Sequence, residues 1–564
     1  MSIPKLEHEP TTVEGDFADT ALIARLATEL FRGFAGSTQA ERLKAPATPV
    51  HDTGLAGAYP PETRPYAPPV HPASQSSTRE PETGGHCPGA ADSYPFGEPR
   101  CVPSHTESEA GIKSPTETVA AESARSEPLA APFYYFLSEP ASVGKNTAAG
   151  FNPASVPIRS VFDVESVRRD FPALHQQVNG RQLIWLDNAA TTHKPQSVID
   201  ATSKFYGRDN SNIHRAAHVL AARATELYEG GREKARRFLG AADAREIVFA
   251  RGTTEAINLV AQTYGRKFIG PGDEILLTTL EHHANIVPWQ LLLEQTGAVI
   301  RVAPINDRGE LILEQFAGLI SSRTKLVSVT HVANALGTIN PVEQIIALAH
   351  AHGVPVLVDG AQSTPHMPVN VQALDADFFA FSGHKVFGPT GIGVLYGKSK
   401  WLEQLPPWQG GGHMIQDVTF AKTTYQSHPQ KFEAGTQDIA GVVGLGAALD
   451  YLTGLGLPAV AAYEHELLEY AAAALATVPG LRPIGTAAAK ASVLSFVIPG
   501  IPSEQVAKHL DRYGIAVRSG HHCAQPAVRR FGLESTVRPS LAFYNTRAEV
   551  DTLVNALHQL SKPA

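Results

Sequence analysis

From residue 159 onward, short apolar runs recur with room for a helix between each and the next. Glu246-Ile247-Val248-Phe249-Ala250, Glu274-Ile275-Leu276-Leu277-Thr278 and Lys325-Leu326-Val327-Ser328-Val329 are such runs, and helical stretches separate them. Runs of this kind fit strands buried on both faces, and strands joined through helices run parallel. The pattern predicts an α/β fold: a mostly parallel sheet covered by helices, over residues 159–445. After about residue 445, Ala-rich helices and the run Ser492-Val493-Leu494-Ser495-Phe496-Val497 predict a smaller α+β domain over 446–564.

The first 158 residues have another character. They are rich in Pro, Ser, Thr, Gly, Ala and Glu and nearly devoid of long apolar patterns. Such a segment buries too little apolar surface to offset its conformational entropy, so a disordered extension is expected over 1–158. Two islands interrupt it. Asp19-Thr20 is placed to cap a helix in which Leu22, Leu26 and Leu30 repeat every four residues; Ile23, Ala27 and Phe34 extend the stripe, and Gly33 is a stop. Phe133-Tyr134-Tyr135-Phe136-Leu137 is fenced by Pro132 and Pro140. Exposed apolar clusters on a solvated chain are costly unless something covers them. Both islands, about 19–34 and 132–138, read as docking motifs: a helix for a groove and an extended peptide for a pocket. The blander readings are a solubilising spacer, or islands that fold back on the chain's own globular part.

The net charge of -8 gives no sign of a nucleic-acid partner. The apolar runs are too short to suggest a membrane span, and the amino terminus lacks the basic and apolar regions of a secretory signal. Three cysteines make no disulfide framework in a chain of 564 residues. A reducing cytoplasm is the expected location.

Two apolar runs end in chemistry. Val356-Leu357-Val358-Asp359 closes on an acid, and Phe381-Ser382-Gly383-His384-Lys385 closes on a lysine. Many enzymes hold pyridoxal phosphate (PLP) this way. The lysine bonds the aldehyde, and the acid keeps the pyridine nitrogen protonated so that the ring accepts electrons. Asp359 also reads as a helix N-cap. Gln362 is placed to hydrogen-bond the ring hydroxyl. Gly252-Thr253-Thr254 follows a strand and opens a helix, which suits a phosphate, with Ser382 and His384 as further donors; Thr254 alone reads equally as an N-cap. His282, in Glu281-His282-His283, sits where a loop histidine can stack on a flat cofactor. A metal pair is the rival there, but no Cys/His/carboxylate set of suitable spacing accompanies it, so no metal is expected. Cys523 lies in Arg518-Ser519-Gly520-His521-His522-Cys523-Ala524, a loop whose Arg518, His521 and His522 suit an activated thiol; a zinc ligand at Cys523 would lack partners. Arg538 is suited to clamp a substrate carboxylate, with Asn334 beside it.

Taken together, segments 186–190, 214–218, 251–255, 281–289, 358–362, 382–385, 432–436 and 518–524 resemble the cysteine desulfurases among fold-type I PLP enzymes. The match extends over about residues 160 to 560. The short double-histidine cysteine loop resembles the SUF-pathway branch; the other branch has a longer, Ser-rich loop. The resemblance implies a homodimer acting on L-cysteine. Lys385 holds PLP and moves protons, His282 stacks on the ring, and Asp359 and Gln362 tune it. Thr254, Ser382 and His384 bind phosphate, and Thr436 reaches the partner subunit's cofactor. Asn334, Arg538, Arg518, His214 and Arg215 bind substrate. Cys523 takes the sulfur as a persulfide, alanine leaves, and the sulfur passes to an acceptor protein or a reductant. One departure stands out: Pro539 replaces the usual Ala after Arg538, removing an N–H and fixing φ. The same site also fits a selenocysteine lyase, and a weakly catalytic scaffold recruited by its tail is the reading from another class. The extension resembles those of desulfurases carried as cargo inside family 2 encapsulin shells. That implies a shell partner and a place inside a nanocompartment. Cys87 and Cys101 read as incidental thiols or, less simply, as a flexible sulfur relay.

Overall fold

The computed structural model describes residues 162–560 apart from 215 and 216, and all of them fall in one compact unit. The expected disorder over 1–158, its two motifs, Cys87, Cys101 and Arg215 lie outside the described residues.

Seven strands form the central sheet: β1 Ile247–Ala250, β2 Glu274–Thr278, β3 Val299–Ala303, β4 Thr324–Thr330, β5 Val356–Asp359, β6 Phe378–Ser382 and β7 Gly393–Gly397. Their order is β1-β7-β6-β5-β4-β2-β3. The pairs among β3, β2, β4, β5 and β6 are parallel, and β7 runs antiparallel to both β6 and β1. Alternate residues feed two cores on opposite faces. Ile247, Phe249, Val356 and Val358 join one, whereas Val248 and Leu357 join the other. A sheet covered on both sides needs apolar residues at nearly every position, which is why these strands read as continuous apolar runs.

The reversal at β7 builds the site's edge. Gly393 pairs with Ala250 of β1 on one side and Ser382 of β6 on the other. A side chain at Gly393 would place its Cβ 2.5 Å from the Gly252 Cα, so the close approach requires glycine. The turn after β1 is thereby pressed against the end of β6.

A second, antiparallel sheet orders 482–483, 496–497, 536–538 and 518–520. Its core joins Ile184 and Leu186, from the start of the described chain, to Leu467, Leu494, Val537 and Leu557. The helix Ile439–Leu455 runs across the expected 445/446 boundary. It packs on the helix Val219–Leu239, and Val442, Leu445 and Leu449 belong to the large core. At Gly456, with φ of 79, the chain turns into the helix Leu457–Leu475, and the change of core falls within that helix: Val460 still joins the large core, whereas Leu467 and Leu468 join the second. Apolar composition continues smoothly through 445, so the sequence carried no sign of the true position. Of the expected strand at 492–497 only Phe496–Val497 forms. The Ser495 hydroxyl bonds the Ala335 carbonyl, and Val493 bridges to Ser540. No single helix among the described residues is long and apolar enough to cross a membrane.

One buried ion pair ties the first long helix to the sheet. Arg232 gives two parallel hydrogen bonds to Glu433, at 2.7 and 2.9 Å, and a third to the Ile247 carbonyl. Glu433 also accepts the Phe249 N–H and the Tyr228 hydroxyl. The two side chains are 2% and 1% exposed. Removing Glu433 leaves Arg232 with the half-exposed Glu229 alone and strips the buried Phe249 N–H and Tyr228 hydroxyl of their acceptor, so Glu433→Ala should lower unfolding free energy by roughly 3–5 kcal/mol, measured by denaturant titration.

Candidate active site

The parallel strands end at one edge, and their following turns line a single cleft. Asp359 and Ala361 come from the end of β5, and Ser382, His384 and Lys385 from the end of β6. Thr253 and Thr254 come from the turn after β1, His282 from the turn after β2, and Thr330 and Asn334 from the end of β4. The smaller sheet contributes Arg518, His522, Cys523 and Arg538.

Asp359 is buried and accepts the Ala361 N–H at 2.9 Å. Burial pushes its carboxyl above the usual range, and the Ala361 bond and the Lys385 charge oppose that. Burial pushes the Lys385 amine down to about 8, against the pull of Asp359. Gln362 is buried and donates to the Ala189 carbonyl at 2.6 Å. Ser382 Oγ accepts the Thr253 N–H at 2.9 Å and lies 2.8 Å from the Thr253 hydroxyl. A helix start and two hydroxyls thus meet at the register point that Gly393 sets. His384 Nδ1 lies 3.1 Å from the Thr191 hydroxyl, and burial beside Lys385 holds its ring near a pKa of 4. His282 Nδ1 accepts the Ala284 N–H, which places its proton on Nε2; burial and the Lys385 charge push it down to about 3. A neutral ring in that position is free of charge repulsion with Lys385.

Arg538, 2% exposed, donates to Asp187 Oδ1 at 3.0 Å and to the Asn334 carbonyl at 3.1 Å. Asn334 donates to the His522 carbonyl at 2.6 Å. Three atoms around this junction are buried without a protein partner: Arg538 Nε, Asn334 Oδ1 and His522 Nδ1. Orphaned buried groups of this kind are costly unless a ligand completes them. Pro539 does not loosen Arg538, because Asp187, Asn334 and antiparallel pairing with Arg518 hold it, and the Pro539 carbonyl accepts the Leu494 N–H.

The cysteine loop has unusual backbone. His522 and Cys523 have φ of 54 and 55, a left-handed pair that non-glycine residues seldom adopt. The Cys523 carbonyl accepts the His283 N–H at 2.7 Å, and the Cys523 N–H donates to His521 Nδ1 at 3.0 Å. The strain is held from the loop after β2 and by the Asn334 bond.

The family model for class-V aminotransferases matches residues 184–553. The chain belongs to the class-V aminotransferase family. This class-V chain is 62% identical over 399 residues to a cysteine desulfurase of Synechococcus elongatus; the match covers 71% of the chain and 64% of that relative. It is 51% identical over 402 residues to a cysteine desulfurase of Dickeya dadantii, covering 71% of the chain and 97% of the relative. The matched region spans 59% to 66% of the length of the first three curated relatives. Among solved structures, the Escherichia coli cysteine desulfurase CsdA superposes with a TM-score of 0.66 at 43% identity, over 71% of this chain and 98% of that one.

PLP is the cofactor of the class-V family, and the residues present fit it. A buried acid, a depressed lysine and a helix start with paired hydroxyls line the same cleft. Of the residues read from the sequence, Lys385, Asp359, Gln362, His282, Thr254, Ser382, His384, Asn334, Arg518, Arg538 and Cys523 all meet in the cleft. His214 does not. Its ring stacks on His413 at 4.8 Å and reaches Glu229 at 3.0 Å, in an exposed segment away from the cleft of its own subunit. Thr436 is exposed and also lies outside that cleft.

Sequence reasoning missed three contributors. Asp187 stood in a quoted segment but carried no pattern that paired it with Arg538. Glu281 was passed over as a loop acid. It is fully buried, accepts from Thr278 at 2.6 Å and Asn285 at 2.7 Å, and is pushed up to about 8 by burial, thereby bracing the turn that carries His282. His283 was read only as the companion of His282.

Only an unprotonated amine bonds an aldehyde, so cofactor uptake should report the depressed lysine. The rate at which apo-protein takes up PLP covalently should rise about tenfold per pH unit and level near pH 8, where an ordinary lysine would level above pH 10. Stopped-flow absorbance checks this, with Lys385→Ala as the variant that forms no covalent adduct.

Proposed function

We propose that this chain is a PLP-dependent cysteine desulfurase that converts L-cysteine to L-alanine and keeps the sulfur on Cys523. The observation that carries the reading is a thiol on a strained, tightly bonded loop, opening on the same cleft as Lys385 and Asp359. The curated relatives of that name support it.

When bound, PLP supplies an electron sink that makes the substrate Cβ–Sγ bond labile. Arg538 holds the substrate carboxylate, its unpaired Nε donating, and the Asn334 carbonyl steadies the guanidinium from behind by accepting Arg538 Nη1. Asp187 shares Arg538 with the substrate and keeps the guanidinium in place. Lys385, a base near 8, moves the proton between Cα and Cβ. Cys523 attacks the substrate sulfur as thiolate. The sulfur–sulfur bond forms as the carbon–sulfur bond breaks, and the electron pair returns to carbon, which is protonated and leaves as alanine. A reductant or acceptor protein then removes the persulfide sulfur.

The short His521-His522-Cys523 loop supports the SUF-pathway branch. A homodimer is supported by the exposed Tyr206, Val219 and Leu220, by Phe420 at the tip of the 415–425 hairpin, and by Thr436, which is not needed in its own cleft. The islands at 19–34 and 132–138 support a bivalent tether to the inner wall of an encapsulin shell, since two weak motifs on one chain bind more tightly than either alone.

Two experiments check these readings. Full-length protein given L-cysteine and a reductant should release alanine and sulfide. Cys523→Ala should keep the cofactor band near about 420 nm and lose turnover by about 100-fold or more. Cofactor binding without alanine release, or turnover of L-selenocysteine alone, overturns the assignment. Separately, deleting residues 1–150 should abolish co-purification with a co-expressed encapsulin shell and leave alanine release unchanged; undiminished co-purification overturns the cargo role.

A further inference from the structure

The fold brings His283 up to two groups of a remote loop, His521 and Cys523. A ring nitrogen of His283, a ring nitrogen of His521 and the Cys523 sulfur lie within 4.8 Å of one another, and all three residues are half-buried. Among the described residues this is the one cluster of three or more His, Cys, Asp or Glu side chains so arranged. We propose that it is a binding site for a thiophilic divalent cation of the zinc type, and that the bound ion caps Cys523 and slows sulfur transfer.

The donor set argues for the class of ion. Two imidazoles and a thiolate suit zinc, and the absence of a carboxylate disfavours magnesium and calcium. The ligands come from two loops, one after β2 and one after the strand Arg518–Gly520, so no local spacing announces them. The sequence led us to expect no metal because it offered Cys523 no neighbour but its own loop.

The lone pairs already point at the cysteine loop. His521 Nδ1 accepts the Cys523 N–H at 3.0 Å, and His283 Nε2 accepts the Gln525 N–H at 3.2 Å. The rings sit 5.5 Å apart, centre to centre, and 32° from parallel. An ion that bonds both nitrogens replaces two backbone N–H groups, the second of them held at a long distance. The His283 N–H bond to the Cys523 carbonyl, at 2.7 Å, keeps the two loops in register while that happens. Three protein ligands leave a fourth position for water or for a thiol. Binding exchanges the thiol proton for the ion, so one proton is released and no electron moves. Coordination draws negative charge from the sulfur and crowds its approach to substrate, so the thiolate attacks more slowly.

The inference needs the thiol and the two rings, not the reaction, so metal counting tests it even if alanine release fails. The protein for the test is full-length, PLP-loaded, carrying Cys87→Ser and Cys101→Ser to remove the other thiols, and freed of metal by a chelator. After equilibrium dialysis against Zn2+, atomic emission should approach one zinc per chain. The cofactor absorbance should not change. Alkylation of Cys523 by iodoacetamide should be blocked, and restored by EDTA. His283→Ala and His521→Ala should each weaken zinc binding by about tenfold or more while keeping the cofactor band, and Cys523→Ser should do the same. Should an alanine variant lose its cofactor, the corresponding His→Gln variant takes its place. Zinc binding that survives removal of both histidines, binding indifferent to Cys523→Ser, or no bound zinc in the parent would each overturn the proposal.

Discussion

Asp359 and Lys385 are both buried in one cleft, and each is held away from its ordinary proton affinity mainly by that burial. Water would erase both shifts, so the architecture around them has to exclude it. The parallel register places Asp359 beside Thr330 on one side and Ala380 on the other. Lys385 comes three residues after the end of β6, and the reversal at β7 presses Gly252 against the sheet beside Ser382. A charge of one sign lowers the cost of burying the other, which is why the acid and the lysine belong to neighbouring strands.

The second half of the chemistry arrives from the smaller sheet and is joined to the first through backbone atoms. Asn334 holds the His522 carbonyl, His283 holds the Cys523 carbonyl, and Arg538 holds the Asn334 carbonyl. Contacts of this kind fix where a loop lies without specifying its side chains. A thiol can therefore be presented on a strained left-handed pair, and the same contacts bring His283 close enough for an ion to bridge it to the thiol. Sulfur capture and inhibition by metal would then be two uses of one juxtaposition.

Much of the large domain was legible because its signal is local. The run 274–278 is a strand with the expected bounds; 246–250 begins one residue early, and 325–329 falls one residue short at each end. Asp359 and Lys385 stood out because their residue types carry chemistry at the ends of such runs, and Cys523 because it lies in a loop among Arg518, His521 and His522. The observed change of core, beyond the expected 445/446 boundary, did not stand out, since the helix Ile439–Leu455 is apolar throughout and its side chains serve the large core past residue 445. Nor did the expected strand at 492–497, most of which bonds to the 335 loop and to Ser540 instead of forming a ladder. His214 looked like a site residue only by its position in a matching segment, and its contacts are with His413 and Glu229.

By itself the sequence determined the alternation of strands and helices in the large domain and the identity of several reactive groups, because periodicity and side-chain chemistry are properties of neighbouring residues. It also marked the first 158 residues as compositionally distinct. Only the tertiary structure decided that β7 runs backwards, that Arg538 is shared with Asp187, that Glu281 braces the His282 turn and that His283 meets Cys523. Those outcomes depend on burial and on contacts between residues remote along the chain. The energies that select them, desolvation and the completion of buried hydrogen bonds, exist only once distant loops have closed on one another.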